Sequence, residues 1–405
     1  MPASIGSTQA VPPTRFKPSR NLWLLAGTSF FTDVSSHMVV PLLPLFLVGV
    51  LRATPAIVGL IEGGAESFAA LIKGFAGRWS DRSGHRRLFV VSGYALSTLT
   101  RALFVIATSW PLVFLARLTE RIGKGLRSAP RDALIVEDTS PEWRGRAFGF
   151  QQAFDSAGAL VGALLVWWLV AYFEYREVFL LALAPAVIGV VLTLLVRERR
   201  SDATPVVGEA SASPRAHARF RDLPPALGRA IAACALFAFG QFGVAFFVLA
   251  ANARGLGDRD TLAFYVLFNA AGTLAAWPAG RWSDKFGRRP LLLLGYALFT
   301  GACAAMVLHA TAAWVIGFLM LGASIAVIDT VQRALIADLA PPQLRATAMG
   351  AYYAAIALVA LPGGWIAGQL WQAYAPDATF VFGIVTSAVA AFLLWRLPES
   401  RTTRT

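Results

Sequence analysis

The sequence predicts an all-α membrane protein with twelve transmembrane helices in two pseudo-symmetric six-helix bundles. Of its 405 residues, 57% are hydrophobic and 15% are charged, and the mean hydropathy is +0.60. This apolar content exceeds that of ordinary soluble domains. Apolar stretches of about 20 residues, the length that crosses a bilayer, recur along the whole chain. Two charged segments also occur once in each half, which indicates that the halves are related.

Each predicted span is an apolar stretch bounded by charged residues, prolines or glycines. Several spans are longer than the bilayer requires, so the corresponding helices would tilt or extend beyond it. The twelve predicted spans are residues 21–50, 55–76, 88–107, 111–131, 147–171, 178–196, 228–252, 261–279, 290–309, 312–338, 346–373 and 378–396.

One long polar segment divides the twelve spans into two groups of six. Residues 197–227 are rich in Arg, Ser, Ala and Pro, a composition typical of a flexible linker. The predicted organisation is therefore a cytoplasmic tail (1–20), a first bundle (21–196), a cytoplasmic linker (197–227), a second bundle (228–396) and a second cytoplasmic tail (397–405).

Basic residues are concentrated in the tails and loops on one side of the predicted membrane. The formal net charge is +13, and the basic residues predicted on the opposite side are Arg52, Arg176, Arg254 and Arg259. This asymmetry is the positive-inside bias. We therefore expect a bacterial inner membrane protein with both chain ends in the cytoplasm. The same distribution argues against nucleic acid as a partner, because the excess charge lies in loops that face lipid headgroups.

Two charged segments are repeated at nearly equal spacing. The segment GRWSDRSGHRR at 77–87 returns as GRWSDKFGRRP at 280–290. The segment RDALIVEDTSPEWRGRAFG at 131–149 is echoed by QRALIADLAPPQLRATAMG at 332–350. Both pairs fall in corresponding loops of the two groups of spans, which indicates a duplicated six-helix unit. Matched halves around a site at the membrane midplane are typical of transporters.

These repeated loops resemble the major facilitator superfamily, and the resemblance covers essentially the whole chain. The family's loop signature between helices 2 and 3, roughly G-x-x-x-D-R-x-G-R-R, is matched by Gly77, Asp81, Arg82, Gly84, Arg86 and Arg87. A degenerate copy between helices 8 and 9 is matched by Gly280, Asp284, Lys285, Gly287, Arg288 and Arg289. The resemblance implies that these loops gate a conformational change, with Asp81 as a latch that favours one conformation.

Two further segments carry the resemblance, and a third departs from it. RLTERIGKG at 117–125 resembles the family's R-x-x-Q-G-x-G-x-G element in helix 4, with Glu120 for Gln and Arg121 for a glycine. VVPLLPLFL at 39–47 resembles a proline-containing feature of drug and metabolite exporters. The antiporter signature G-P-x-x-G-G of helix 5 is poorly matched by GALVGA at 158–163, which lacks the proline. The direction of transport is therefore left open.

Charged residues inside the predicted spans form the candidate site. A charged side chain at the bilayer centre costs about 3 kcal/mol, so these groups are expected to face protein or water. At about 100° per residue, the acids of helix 2 share one face, and the charged residues of helix 4 share one broad face. The resemblance implies that helices 1, 4, 7 and 10 line the translocation path. The candidates for proton coupling or for lining the cavity are Asp33, Glu62, Glu66, Arg117, Glu120, Arg121, Asp155, Asp329 and Arg333.

Each candidate also has a purely structural interpretation. Asp33 is predicted to bind and release a proton as its surroundings change, and the alternative is a fixed pair with an arginine of helix 4. Glu62 and Glu66 are candidates for gating or substrate contact, or they neutralise Lys73 and the bases of helix 4. The acid and base spaced by four residues in helix 10 either take part in transport or lock that helix.

We therefore expect a secondary-active transporter that works by alternating access and exports a small organic compound or drug-like metabolite in exchange for protons. Proton-coupled uptake of a small organic solute, including an anionic one, is the alternative within transport. A passive lipid scramblase or a receptor on the same fold is the alternative outside it. The sequence has no P-loop, H-E-x-x-H, G-x-S-x-G or C-x-x-C motif, so we expect no enzymatic activity, cofactor or metal. Its expected partners are a small-molecule substrate, protons and membrane lipids, and we expect a monomer.

Overall fold

The computed structural model describes residues 16–83, 85–140, 143–197, 224–341 and 344–397, with the backbone alone at 73–83, 277 and 346. These ranges are almost entirely helical, and no β-strand occurs within them. Most of the predicted linker and of both predicted tails lies outside the described residues. Among the predicted gating positions, Gly84 lies outside the described residues, and so do the side chains of Asp81 and Arg82.

Within the described ranges, the helices form twelve consecutive segments. Within each group of six, successive segments are joined by short loops and run in opposite directions, whereas α6 and α7 are separated by the long segment that is mostly outside the described residues. The segments are α1 (Arg20–Val50), α2 (Pro55–Ser83), α3 (Arg86–Ile106), α4 (Trp110–Glu137), α5 (Arg144–Leu169), α6 (Tyr175–Leu194), α7 (Pro225–Ala253), α8 (Asp258–Phe286), α9 (Arg288–Val307), α10 (Thr311–Leu339), α11 (Arg345–Ala373) and α12 (Pro376–Trp395). The tail side is the side where α1 begins and α12 ends, and the far side is the other.

Ten of these segments are long and apolar enough to cross a membrane. The segment α8 meets the same criterion as two pieces that meet at an angle of 44° beside Pro278, a residue that interrupts helical hydrogen bonding. The remaining segment, α4, has 28 residues and a charged middle with five residues from Arg117 to Arg127. The predicted all-α membrane fold is confirmed, and the predicted count of twelve spans is consistent with these segments.

The segment α7 is broken near its centre. Its first part ends at Gly240, Gln241 is extended with φ −89° and ψ 90°, and a second part runs from Gly243 to Ala253. Gly243 has a φ of +73°, a conformation that residues with a Cβ atom rarely adopt. The break therefore places the start of a helix near the middle of the membrane.

The duplication is visible in the contacts of the two repeated loops. Arg86 at the start of α3 forms an ion pair with Glu137 at the end of α4. Arg288 at the start of α9 likewise contacts Asp338 at the end of α10, with 3.1 Å from Nε to Oδ2. Arg288 also pairs with Asp284 at 2.7 Å. The repeated arginines thus tie equivalent helices together on the tail side of each half.

The second arginine of each loop also has a matching role. Arg87 donates to the carbonyl oxygen of Leu194 at the end of α6, and Arg289 donates to the carbonyl oxygen of Leu397 just after α12, both at 2.7 Å. The first bond satisfies a carbonyl group that the end of α6 leaves unpaired, and the second fixes the chain just beyond α12. Among the remaining predicted gating residues, Gly287 has a φ of +95° between α8 and α9, and Gly280 lies inside α8. The gating role of these residues stays a prediction.

The two halves meet through glycines of α2 and α11. A Cβ atom on Gly364 would lie 2.5 Å from the carbonyl oxygen of Gly59, and one on Gly63 would lie 2.6 Å from that of Ala360. Neither distance is sterically possible, so the backbones approach as closely as they do because side chains are absent. The backbone N–H of Leu361 also donates to the Ser67 hydroxyl at 2.9 Å.

Substitution of Gly364 by Ala is expected to weaken this contact and open the far side. Overpacking of a tight contact costs about 1–3 kcal/mol, which corresponds to roughly a 10-fold change in the ratio of conformers. Distances between spin labels at Tyr172 and Asp260, exposed positions of the two halves on the far side, would report the change. Gly350→Ala in the same helix is the control, because no atom lies within 4 Å of a Cβ there. Equal distance distributions in the two variants would contradict this account.

Candidate functional site

A cavity of about 400 Å³ lies between the two halves. Residues of α1, α2 and α4 line it from the first half, and residues of α7, α10 and α11 line it from the second. This volume is suited to a small organic molecule. Its polar and charged wall consists of Glu62, Glu66, Arg117, Arg121, Lys124, Gln241, Asp329, Gln332 and Arg333, and its aromatic wall consists of Phe242, Tyr352 and Tyr353.

The cavity is accessible from the tail side. Lys124 of α4 and Arg333 of α10 line it towards that side, and both side chains are exposed. The Glu66 side chain, which also lines it, is 47% exposed. Because these charged groups reach solvent from both halves, a polar solute can enter between α4 and α10.

On the far side, the two halves are in contact. The hydroxyl of Tyr175 at the start of α6 donates to the carboxylate of Asp258 at the start of α8. The Arg259 guanidinium lies 5.0 Å from the ring centre of Trp167 in α5. These contacts close the far end of the space between the halves, so the structure is open to the tail side and closed to the far side.

Replacement of Tyr175 by Phe is expected to favour opening of the far side. The variant loses a hydrogen bond to a charged acceptor, and such bonds contribute about 1.5–3 kcal/mol, or roughly 10-fold in the ratio of conformers. Reactivity of a cysteine at Phe46, a buried α1 residue next to the Tyr175 ring, would increase accordingly towards a membrane-impermeant thiol reagent. The control is Tyr172→Phe, since Tyr172 is 69% exposed and contacts Trp168. An equal rate in both variants would show that the hydrogen bond does not hold the far side closed.

Four charged residues alternate in sign behind and within the cavity wall. Arg117, only 2% exposed, donates to the two oxygens of Glu62 at 3.0 and 2.9 Å and to Glu120 at 2.6 Å. Arg101, 1% exposed, lies 3.3 Å from the other oxygen of Glu120. It also donates to the Ser35 hydroxyl at 3.2 Å. Burial of a charge is tolerated when it is paired and hydrogen-bonded, and each of the four charges meets this condition.

A second polar group lies where α1, α4 and α5 meet. The carboxylate of Asp155 accepts a hydrogen bond from Gln151 at 2.9 Å and lies 3.5 Å from Nη1 of Arg131. The same Arg131 nitrogen donates to the Ser29 hydroxyl of α1 at 3.0 Å. Asp155 is therefore held by α4 and α5 inside the first half, and it is not among the described residues that line the cavity.

Asp33 lies beside this group and is half-buried. Within the described part of the chain it forms no direct ion pair. The charges that act on it are the carboxylate of Asp155 and the basic groups of Lys124, Arg127 and Arg131. Asp33 is thus surrounded by charges of both signs, and a small shift of α4 relative to α1 would change their balance.

The charged face predicted for α4 divides in the structure. Arg117, Arg121 and Lys124 line the cavity, whereas Glu120 and Arg127 are buried in the first half. Arg127 lies over the ring of Tyr94, 4.3 Å from its centre. The division arises because the charged face of α4 is broad. One side of this face borders the cavity, and the other side packs against the neighbouring helix α3.

In α10, the acid and base spaced by four residues meet through the backbone. Nε of Arg333 donates to the carbonyl oxygen of Asp329 at 2.9 Å. Both side chains line the cavity, and both are exposed. The structure therefore brings Glu62, Glu66, Arg117, Arg121, Asp329 and Arg333 together at one cavity, while Asp33, Glu120 and Asp155 lie within the first half.

Other polar residues of this region were not predicted as site residues. The Tyr352 hydroxyl donates to Oε1 of Gln332 at 2.8 Å, and Nε2 of Gln332 donates to the Tyr296 hydroxyl at 2.9 Å. In the repeated segments, Gln332 occupies the position of Arg131. This alignment could have identified Gln332, because it places an uncharged side chain in the second half where the first half has Arg131.

A contact between the halves was also missed. The Tyr265 hydroxyl of α8 is hydrogen-bonded to Nδ1 of His37 in α1 at 2.8 Å. Tyr265 is 1% exposed, so this bond lies in the closed part of the interface. The spacing of residues within one helix contains no information about a partner in the other half.

The comparison with known families agrees with this architecture. The sequence model of the Major Facilitator Superfamily matches residues 25–276 and 231–405. The chain belongs to this superfamily. It is 31% identical to an uncharacterized MFS-type transporter of Methanocaldococcus jannaschii over 93% of this chain and 94% of the relative. It is 28% identical to an uncharacterized protein of Mycobacterium tuberculosis over 80% of each chain.

Solved transporter structures share the fold of this superfamily member. The nucleoside transporter NupG superimposes with a TM-score of 0.76 and 13% sequence identity, over 94% of this chain and all of that one. A bacterial homologue of the lysosomal transporter Spinster, in an inward-facing and unoccupied conformation, gives a TM-score of 0.71 and 16% identity, over 96% of this chain and all of that one. Because the sequence identities to these two structures are only 13% and 16%, the superpositions show a shared fold and nothing about the substrate.

Proposed function

We propose that this superfamily member is a secondary-active transporter that exports a small organic compound or drug-like metabolite in exchange for protons. The observation that carries the proposal is the cavity between the halves, open on one side, with buried acids and bases in and behind its wall. A passive lipid path requires no such arrangement of charge. Alternation between tail-open and far-open states would carry the solute across the membrane.

Proton coupling is assigned to the acids of the first half. Asp33 is the coupling residue, because neighbouring charges of both signs act on it and it has no fixed ion pair within the described residues. When α4 moves towards α1, its bases favour the ionised carboxylate, and when α4 moves away, Asp155 favours protonation. Proton binding at Asp33 would thereby favour one orientation of the halves.

Export is supported by the orientation of the chain and by one group of relatives. The positive-inside bias supports a cytoplasmic tail side, and with this orientation the cavity would be open to cytoplasmic solutes. The multidrug resistance protein MdtH of Photorhabdus laumondii is 33% identical over 135 residues, which is 33% of each chain. Its name refers to multidrug resistance, a property that export of drugs would produce.

The test combines a substrate search with a flux measurement. Metabolites and added drugs would be compared in cells with and without the gene, and the compound with the largest difference would be loaded into proteoliposomes. Export in exchange for protons predicts that a pH gradient drives this compound against the direction of proton flow. Movement in the same direction as protons would identify uptake instead. Flux that is independent of the gradient and unchanged by an ionophore would overturn the proposal.

A further inference from the structure

We infer that the cavity selects organic anions, and that the anionic group is held between Arg121 of α4 and Arg333 of α10. This inference rests on the proposed function only in taking the cavity as the substrate site. It adds the chemical class of the substrate, which neither the family nor the fold determines. The inference is carried by the way in which the acids and bases of the cavity are paired.

The cavity wall has one more basic than acidic side chain. Four basic and three acidic side chains line the cavity, namely Arg117, Arg121, Lys124 and Arg333 with Glu62, Glu66 and Asp329. A count of charges alone leaves the preferred ligand undecided, since acids can neutralise bases in many combinations. The hydrogen bonds within the wall decide which groups can bind a ligand.

The acid deepest in the cavity wall is already engaged. Glu62 accepts hydrogen bonds on both oxygens from Arg117, and the opposite edge of the same guanidinium is bonded to Glu120. Paired charges of this geometry satisfy each other. Glu62 is therefore a poor partner for a cationic solute, and Arg117 is a poor partner for an anionic one.

Arg121 lies one helical turn further along α4 and is engaged differently. Its side chain is 22% exposed, and its nearest carboxylate oxygen, on Glu66, is 4.0 Å away, beyond hydrogen-bonding distance. Its Nε atom is buried with no hydrogen-bond partner within the described residues. A largely buried guanidinium with an unsatisfied donor is destabilised until an acceptor binds. Arg121 thus has hydrogen-bonding capacity for a carboxylate, sulfonate or phosphate group in the cavity.

Arg333 offers the matching group from the second half. Its hydrogen bond within the described part of the chain runs from Nε to the carbonyl oxygen of Asp329. The terminal nitrogens of its exposed side chain are therefore available to a ligand. Guanidinium groups bind planar oxyanions through two parallel hydrogen bonds, so an anion in the cavity can be bound from both halves at once.

The rest of the wall suits the remainder of such a molecule. The second part of α7 begins at Gly243 on the cavity wall, and its Ncap residue Phe242 provides no side-chain hydrogen bond. A helix start carries a partial positive charge, which adds to the attraction for an anion. The rings of Phe242, Tyr352 and Tyr353 provide an apolar surface. An aromatic or otherwise apolar molecule with one anionic group fits this combination.

This arrangement also links substrate binding to movement of the halves. Arg121 and Arg333 belong to opposite halves, so their like charges repel as α4 and α10 approach each other. A bound anion replaces this repulsion by attraction to both groups. The empty carrier is therefore held open on the tail side, and binding of the anion favours its closure.

Binding of two probes of the same shape tests the inference. In purified protein in detergent, 2-naphthoate is expected to bind at least about 10-fold more tightly than 2-naphthylmethylammonium, as measured by calorimetry. Arg121→Gln and Arg333→Gln should each weaken naphthoate binding by about 10-fold, whereas Arg121→Lys should retain part of it. Arg396→Gln is the matched control, because Arg396 is exposed beyond the end of α12. The inference would be overturned if naphthoate failed to bind, or if the ammonium probe bound equally or more tightly. It would also be overturned if both Gln variants bound naphthoate as tightly as the wild type.

The closure is tested by distances between spin labels at Gly145 and Phe286, exposed positions of the two halves on the tail side. Naphthoate is expected to shorten this distance in the wild-type protein and to have no effect in the Arg121→Gln, Arg333→Gln double variant. An identical response of both proteins would contradict the role of these arginines. Neither measurement uses a proton gradient. Proton-driven export of a cation would therefore overturn this inference and leave the proposed function intact.

Discussion

Replacement of Asp33 by Asn is expected to abolish flux driven by a pH gradient, while the protein stays folded. The Asn side chain has nearly the same volume but cannot bind or release a proton in this range of pH. Movement of α4 changes the balance of acids and bases around position 33. In the variant, this change could no longer alter the charge of the side chain at that position. In proteoliposomes, gradient-driven flux should fall to the level of empty liposomes, and exchange of substrate without a gradient should persist.

The control for this variant is Asp260→Asn, which makes the same change at an exposed residue near the start of α8. This variant should transport as the wild type does. Unchanged flux and unchanged pH dependence in Asp33→Asn would remove Asp33 from the mechanism. Loss of exchange as well as of driven flux would show that Asp33 is needed for movement of the halves themselves.

Replacement of Arg117 by Gln is expected to give the largest loss of stability among single substitutions in this cavity. Glu62 would lose all three of its hydrogen bonds from Arg117, and Glu120 would keep only its ion pair with Arg101. Removal of one partner from a buried ion pair costs about 3–5 kcal/mol, a large part of the 5–15 kcal/mol that stabilises a typical domain. Thermal unfolding in detergent should therefore begin at a clearly lower temperature than in the wild type.

A double-mutant cycle separates this pairing from general disruption. Glu62→Gln alone should cost less, because Arg117 keeps Glu120 at 2.6 Å. The variant with both substitutions should be more stable than Arg117→Gln alone, because it no longer buries an unpaired carboxylate. Additive losses, or an Arg117→Gln protein as stable as the wild type, would show that the pair contributes little to stability.

The overall architecture could be predicted from sequence because the bilayer imposes a strong constraint on composition. Eleven of the segments are apolar enough to be recognised by length and hydropathy, counting α8 as one bent helix. The charged α4 was predicted as an apolar stretch at residues 111–131, and the helix extends from Trp110 to Glu137. The break in α7 was not predicted, since Gly240 and Gly243 in an apolar run are also typical of close helix packing.

The site was only partly predictable, because helical spacing defines a face but not its neighbour. The acids of α2 lie on one stripe, and both Glu62 and Glu66 do line the cavity. In α4 the same reasoning grouped Glu120 with Arg117 and Arg121, whereas Glu120 is buried against Arg101 of α3. The arrangement that favours an anion depends on which acid pairs with which base, and this depends on distances between helices.

Reversible cross-linking on the far side tests alternating access most directly. Cysteines would replace Tyr175 and Asp258, whose side chains meet between the halves, in a protein where the buried Cys234 and Cys303 are replaced by Ala. Oxidation with copper–phenanthroline would join the two positions. We expect flux to stop on cross-linking and return on reduction, while a cysteine at Lys124 remains reactive from the tail side throughout. Continued transport by the fully cross-linked protein would contradict the account.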